Sequence, residues 1–423
     1  MLTGKHTLFL ACRLLLLTCL PLLFMQWAQA GETLDLQQAE SIALQSDPLV
    51  SSQLATASAL ENESTAAGTL PDPKFRLGMF NVPLDSFNLD ENPTTQLRLG
   101  IQQAFPRGDM LDIQAERAAI RSRAALARAE DARRRILREL REAWLNVYYQ
   151  NEAARVIVDT KDLFSKLVKI TEDQYAAGRA NQQDVIRADL ELSRLDDRHT
   201  KILSKQDQYR AVLAQWIGDA AWQTLDTSFP QLPQPKLDDI NAMITRHPAI
   251  QAMRDEVDAA RKMTEMAKQD YSPGYNAFVE YRKRFGNNPD GSERNDLMAA
   301  MVTMDIPLFT ANRQDKKVAA NEELARAAQF RLDDKLRTLK RMFEKSQAMY
   351  QRSAEREQLY HDELLDSARE NSQAALNAYQ SGVTEFTTLM RAQITELDVR
   401  LNELRVRVDK AIAQARLLYI TGE

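Results

Sequence analysis

Met298, Met301 and Met304 stand three residues apart in the stretch "LMAAMVTMDIP". Thioether sulfurs brought together would be soft-metal ligands, but alternate-face spacing favours apolar packing for Met298 and Met304. The histidines His199, His247 and His361 are scattered singly, and the only cysteines, Cys12 and Cys19, lie in the first thirty residues. No G-x-S-x-G, H-E-x-x-H, P-loop or Rossmann spacing occurs. We therefore assign no catalytic residue, no metal ligands and no cofactor. What recurs instead is a phrase. "YAAGRANQQDVIRA" begins at Tyr175 and "YQSGVTEFTTLMRA" at Tyr379, 204 positions on, with Asp184 and Arg187 in one copy and Thr388 and Arg391 in the other. Such groups can form ion pairs.

The elements that hold these phrases are also written twice. "QSDPLV" from Gln45 answers "TRHPAI" from Thr245, and "IQQAFP" ending at Pro106 answers "VTMDIP" ending at Pro307. The offset then settles at 204 and holds to Gly218 and Gly422. The sequence thus predicts residues 31–222 and 223–423 to be two structural repeats, each a helix, two strands, a very long helix, a tip and a return helix. In the first copy helix is expected from Leu36 to Gly68, strands at Phe75–Asn81 and Thr95–Phe105, a helix from Gly108 to Ala177 and a last helix to Ile217. Helices near 237–270, 312–381 and 384–421 repeat the pattern. Leu137, Leu140, Trp144 and Val147 recur at three and four residues, as a packing stripe does. A helix of about 70 residues reaches roughly 105 Å, and the two shorter helices sum to about that length, so they should stack end to end beside it. Gly178 and Gly382 end the long helices because glycine tolerates positive φ, and Asn181 and Thr384 can cap the helices that follow.

Four segments break the helical pattern. Leu97, Leu99, Ile101 and Phe105 alternate with Gln96, Arg98, Gly100 and Gln102, and Phe75, Leu77 and Met79 with Lys74, Arg76 and Gly78. Ala277, Val279, Tyr281 and Phe285 alternate with Asn276, Glu280, Arg282 and Arg284, and Met298, Ala300, Val302, Met304 and Ile306 form a fourth stripe. Each approaches the roughly 9–11 residues with which a tilted strand crosses a bilayer. A soluble sheet on a helical core alternates too. The connections "NVPLDSFNLDENPT" and "GNNPDGSERND" are polar, as loops beyond a membrane are. Four strands cannot close a barrel, and open edges are not tolerated in lipid. Three chains would supply about 12 strands and a hollow lumen, two about eight and a filled one.

Residues 1–30 read as an export signal, with Lys5 and Arg13, the apolar run "LLLLTCLPLLF" and "AQA" ending at Ala30, the expected cleavage site. Removing its two positive charges takes the net charge from -5 to -7. Such mild acidity argues against nucleic acid as a partner, and no long apolar run predicts a membrane helix.

The duplicated order, "DP" and "HP" in the first helices, the prolines of "AFPRGD" and "DIPLF", and the tips "AGRANQQDV" and "SGVTEFTTL" together resemble the TolC family of outer-membrane efflux proteins. The resemblance covers essentially all of the chain after the signal. It implies a mainly α protein with a membrane β-barrel: a homotrimer with a 12-stranded barrel in outer-membrane lipid, continued by a helical periplasmic tunnel. That tunnel would dock on a periplasmic membrane-fusion adaptor fed by an inner-membrane RND-type pump. By match of motif, Ala177, Gly178 and Arg179, with Ser381, Gly382 and Val383, are the adaptor-facing turns, six similar tips per trimer. Members often carry aspartate six residues after the tip glycine, and the best-known one a second aspartate, nine residues after it in the second copy, lining the aperture. Here Asp184 and Arg187 are set against Thr388 and Arg391, so the arginines are expected to pair with Asp184 across neighbouring hairpins. "PDPKFRLGMFNVPLDSF" most resembles the branch exporting heavy metals of the cobalt–zinc–cadmium and copper–silver type, with organic drugs the alternative cargo. A periplasmic coiled-coil scaffold or adaptor is the rival reading, because helix dominates the chain.

Overall fold

The computed structural model describes residues 33–45, 47–237 and 239–422. The expected export signal, Ala30 and both cysteines lie outside the described residues. Helices α1 (Leu36–Gln45) and α2 (Pro48–Ala67) lead to strands β1 (Lys74–Phe80) and β2 (Gln96–Phe105), then α3 (Met110–Ala176) and α4 (Gln182–Ile217). The order repeats as α5 (Ile240–Arg246), α6 (Pro248–Gln269), β3 (Tyr275–Arg284), β4 (Leu297–Met304), α7 (Gln314–Leu359), α8 (Leu365–Gln380) and α9 (Phe386–Thr421).

Three expected helices are interrupted. Leu36–Gly68 divides at Asp47, whose ψ of 122° is extended, because the residue before a proline is driven out of the helical region. Residues 237–270 divide in the same way at His247 (ψ 135°) before Pro248. The Asp47 carboxylate accepts from the N–H groups of Leu49 and Val50 at 2.8 and 3.0 Å, and His247 Nδ1 accepts from Ala249 N–H at 3.2 Å. "DP" and "HP" are thus the same device, a side-chain cap followed by proline at the first helical position. The helix near 312–381 contains a π-helical turn over Tyr360–Leu364; none of its residues is buried, so apolar spacing gives no sign of it.

The described residues form two compact units. One combines the described part of Met1–Gln45 with Ile136–Leu232 and Met349–Ala415; the other combines Ser46–Arg135, Pro233–Ala348 and Arg416–Glu423. Each draws on both halves of the sequence. The core of the first joins Leu145, Ile157, Phe164 and Leu167 of α3 to Leu195 of α4, Tyr379 of α8, and Phe386, Leu389, Leu397 and Val408 of α9. Each fully buried leucine or phenylalanine there contributes about 1.5–3 kcal/mol. Buried Arg141 of α3 meets Glu40 of α1 through Nε at 2.7 Å and through a second guanidinium nitrogen at 3.3 Å, tying the short helix down.

In the second unit α2 runs close to α3 over small residues. Ala57, Leu60 and Ala125 are buried together. Ser122 Oγ donates to the Ala57 carbonyl at 2.9 Å, and Ser64 Oγ to that of Ala115 at 2.8 Å. The unit also carries one antiparallel sheet in the order β1-β2-β3-β4, with β1 and β4 at its edges.

Candidate channel wall and helical tips

The sheet register sorts its side chains into two faces, since neighbours across a ladder point the same way. One row joins Phe75, Ile101, Val279 and Ala300; the next joins Leu77, Leu99, Tyr281 and Met298. This face stays in solvent in the single chain: Phe75 is 67 % exposed, Leu77 65 %, Val302 69 % and Met298 79 %. Leaving such a patch bare in water forfeits about 25 cal/mol per Å² of apolar surface, and a patch this continuous marks a surface meant for lipid or a partner. Gln103, opposite Ala277, and Lys283 are the exceptions. Lys283 sits near the end of β3, where Asp296 accepts from its ammonium at 3.3 Å.

The opposite face is polar and basic. Arg76, Gly100, Glu280 and Ala299 form one row, and Gly78, Arg98, Arg282 and Leu297 the next. Glu280 is buried and takes Arg282 at 2.5 Å and Arg98 at 3.9 Å. Arg98 also lies over the Phe80 ring at 3.6 Å and Arg76 over that of Phe278 at 5.3 Å, so the two aromatics on this face serve as platforms for guanidinium groups. Gly100 leaves room for the Phe278 ring: a Cβ there would stand 2.7 Å from it, so the ring would have to shift.

The same register separates the three methionines, as their alternate-face spacing leads one to expect. Met298 and Met304 are on the apolar face, while Met301 pairs with Phe278 on the other. Strand β4 ends at Met304 and β3 at Arg284, leaving Ile306 and Phe285 outside the ladder. Among the described residues no three His, Cys, Asp or Glu are placed to hold a metal ion. His199 and His361 remain apart from any such group, and His247 is the helix cap already described. No helix among the described residues is long and apolar enough to cross a membrane.

In the helical unit the two tips share one geometry. Gly178 (φ 69°) donates to Tyr175 O at 2.9 Å and Arg179 to Gln174 O at 2.8 Å. Gly382 (φ 73°) donates to Tyr379 O at 3.0 Å and Val383 to Ala378 O at 2.9 Å. This pair of bonds, from the residue in the left-handed conformation and the one after it, is the Schellman stop, and it explains why glycine recurs there. Ala177, Gly178, Arg179, Ser381, Gly382 and Val383 are all exposed, Val383 to 80 %. Below the first tip, Asp184 accepts from Asn181 N–H at 3.5 Å and closes a capping box at the start of α4. In the second tip α9 starts at Phe386, so Glu385 holds the position of Asn181 and the expected cap Thr384 lies one residue too early. Arg187 is half-buried, Thr388 and Arg391 are exposed, and within the chain neither arginine has a carboxylate partner among the described residues. Beneath the second tip, Tyr379 meets Phe386 edge-on with centroids 5.6 Å apart.

Residues 240–423 match the family model described as outer membrane efflux protein. Over that segment the chain is similar to outer membrane efflux proteins. Solved structures extend the likeness to both halves of the fold. The outer-membrane channel OprN superimposes with a TM-score of 0.77 at 17 % identity, covering 92 % of this chain and 89 % of its own. VceC, an outer membrane protein of Vibrio cholerae, gives 0.77 at 17 %, over 92 % and 96 %. CusC, a structure concerned with transmembrane channel formation, gives 0.74 at 14 %, over 91 % of each. At these identities the likeness is one of fold, a helical tunnel with a β-barrel. No curated sequence matches the chain. The alternating sequence disclosed both faces of the sheet, but not the stacking of arginines that its register creates.

Proposed function

We propose that three copies of this chain close their sheets into one 12-stranded barrel in the outer membrane, forming with their helical hairpins a passive conduit. The carrying observation is the sheet itself. Its β1 and β4 edges are free, its apolar face is bare, and four strands do not close a barrel. Pairing β4 of one chain with β1 of the next satisfies both edges at once. The two repeats 31–222 and 223–423 place two tips per chain, and six exposed Schellman turns suit docking on a periplasmic adaptor that an RND-type pump supplies. Asp184, Arg187, Thr388 and Arg391 lie just behind these turns, where an aperture would narrow. The cargo is chosen upstream, and heavy-metal cations are the first class to test because the β1 stretch resembles the metal-exporting branch; drugs are the second. The test is fractionation and detergent extraction. A detergent-stable trimer in the outer membrane is expected, and a water-soluble monomer would overturn the proposal in favour of a periplasmic scaffold. Deleting the gene and measuring tolerance to zinc, cadmium, copper, silver and a drug panel then identifies the cargo.

A further inference from the structure

The polar face of the sheet is strongly unbalanced in charge. Lys74, Arg76, Arg98, Arg282 and Arg284 all project from it, and Glu280 is its only carboxylate. Five cations against one anion leave four positive charges per chain. Glu280 is shared between Arg98 and Arg282, so it neutralises at most one of them. Arg76 and Arg98 rest on aromatic rings, which do not cancel their charge. Arg284 Nε is buried without a hydrogen-bond partner. The register places Arg98 and Arg282 opposite each other and Arg284 two residues beyond Arg282, opposite Gln96, so the band lies toward the loop end of the strands. The acidic residues nearby, Asp85, Asp90, Glu91, Asp290, Glu293 and Asp296, stand on the loops beyond the strands; Asp296 accepts from the Arg284 backbone N–H at 3.1 Å and is salt-bridged to Lys283 of the apolar face. Exposed charges there are screened within about 8 Å at physiological salt, whereas a charged wall around a narrow low-dielectric passage acts on every ion that crosses it.

We infer that this face is an anion-preferring selectivity band lining the exit of the conduit, and that it passes small anions and anionic organic solutes ahead of free cations. The inference rests on the trimeric barrel, in which the bare apolar face takes the lipid and the basic face takes the lumen. Three chains would set twelve net positive charges around that lumen, the arrangement by which basic rings select anions. It also narrows the cargo: a divalent metal would leave this conduit more readily as an anionic complex than as the free ion.

The experiment is a reversal-potential measurement on the detergent-purified trimer in planar bilayers under a tenfold KCl gradient. The chloride-to-potassium permeability ratio is expected above 1. The triple variant Arg98→Gln, Arg282→Gln, Arg284→Gln should lower it at least twofold, and Glu280→Gln, which removes the one counter-charge, should raise it. A ratio below 1 in the unsubstituted protein, or one that the triple variant leaves unmoved, overturns the selectivity band while leaving the conduit standing. A trimer that inserts but never conducts overturns the conduit, and the band with it. Because the unsubstituted protein is read on its own, a variant that fails to assemble does not shield the inference.

Discussion

His247 and Tyr419 are joined twice although 172 positions separate them: His247 Nε2 donates to the Tyr419 carbonyl at 3.1 Å, and the two rings meet edge-on with centroids 4.9 Å apart. With Nδ1 accepting from Ala249 N–H at 3.2 Å, the imidazole must be neutral with its proton on Nε2. The cap of α6 and the end of α9 are therefore held by one unprotonated ring. Burial lowers its pKa, outweighing the opposing pull of Asp131 and of the Tyr419 hydrogen bond; Arg134 and Lys335 lower it further.

That ring makes stability depend on pH. In the unfolded chain it titrates near about 6.5, while in the folded chain it takes up a proton only at lower pH. The unfolded state thus binds more protons as pH falls through that value, and stability declines toward acid and is flat above it. Melting of the purified protein should drop between pH 7 and 5. His247→Asn keeps a cap acceptor but loses the bond to Tyr419, costing about 1 kcal/mol at pH 8, and its profile should be flatter. Identical slopes for the two proteins would show that other groups set the acid sensitivity.

The apolar sheet face offers a sharper test of its surroundings. Val279 lies mid-strand, opposite Ile101 and Ala300, and is exposed. A lysine there facing lipid costs about 2–4 kcal/mol near the bilayer midplane, whereas on a water-exposed surface it would cost under about 0.5 kcal/mol. Val279→Lys should sharply reduce the trimer recovered from the outer membrane, with Asn288→Lys in the loop as the harmless control.

Much of this architecture was legible because alternation and helical periodicity are strong signals, and because the duplication let each half check the other. Pro48 and Pro248 nevertheless break helices that the apolar pattern alone runs together. The π turn at Tyr360–Leu364 leaves no mark in a stretch with no buried side chain. The tips were legible by their glycines, while Glu385 escaped because it is a weak cap former and Thr384 beside it a strong one. The arginine band was half legible. Arg76, Arg98, Arg282 and Arg284 fall on polar-face positions by alternation, but only the register shows Glu280 shared between two of them.

The tip glycines make a prediction in which strain and sterics separate. A Cβ added at Gly178 or Gly382 would meet nothing within 4 Å, so the whole cost of substitution is the positive φ. Gly178→Ala should therefore destabilise the turn by about 1–2 kcal/mol, and Gly178→Asn by less, because asparagine visits that region more readily. Hydrogen exchange of the amides from Gln174 to Gln182 is the measurement. Faster exchange in the alanine variant than in the asparagine one is expected, and equal protection in both would mean that the turn does not depend on its left-handed residue.

The last prediction concerns the aperture. Arg187 and Arg391 have no carboxylate partner within the described chain, while Asp184 already serves the capping box at the start of α4 through Asn181 N–H. Replacing Asp184 would therefore loosen the helix start as well as remove a charge, so the arginines are the cleaner probes. If they pair with Asp184 of neighbouring hairpins in the trimer, each exposed pair holds the closed state by roughly 0.2–1 kcal/mol, a factor of about 1.4 to 5 in the closed-to-open ratio. Arg187→Ser with Arg391→Ser should raise conductance in planar bilayers. Raising KCl to 1 M, where the screening length is about 3 Å, should open the unsubstituted channel toward the same level once bulk conductivity is divided out. Unchanged conductance in the double variant rejects the clasp. A gain that high salt does not reproduce assigns the effect to the smaller side chains and not to their lost charge.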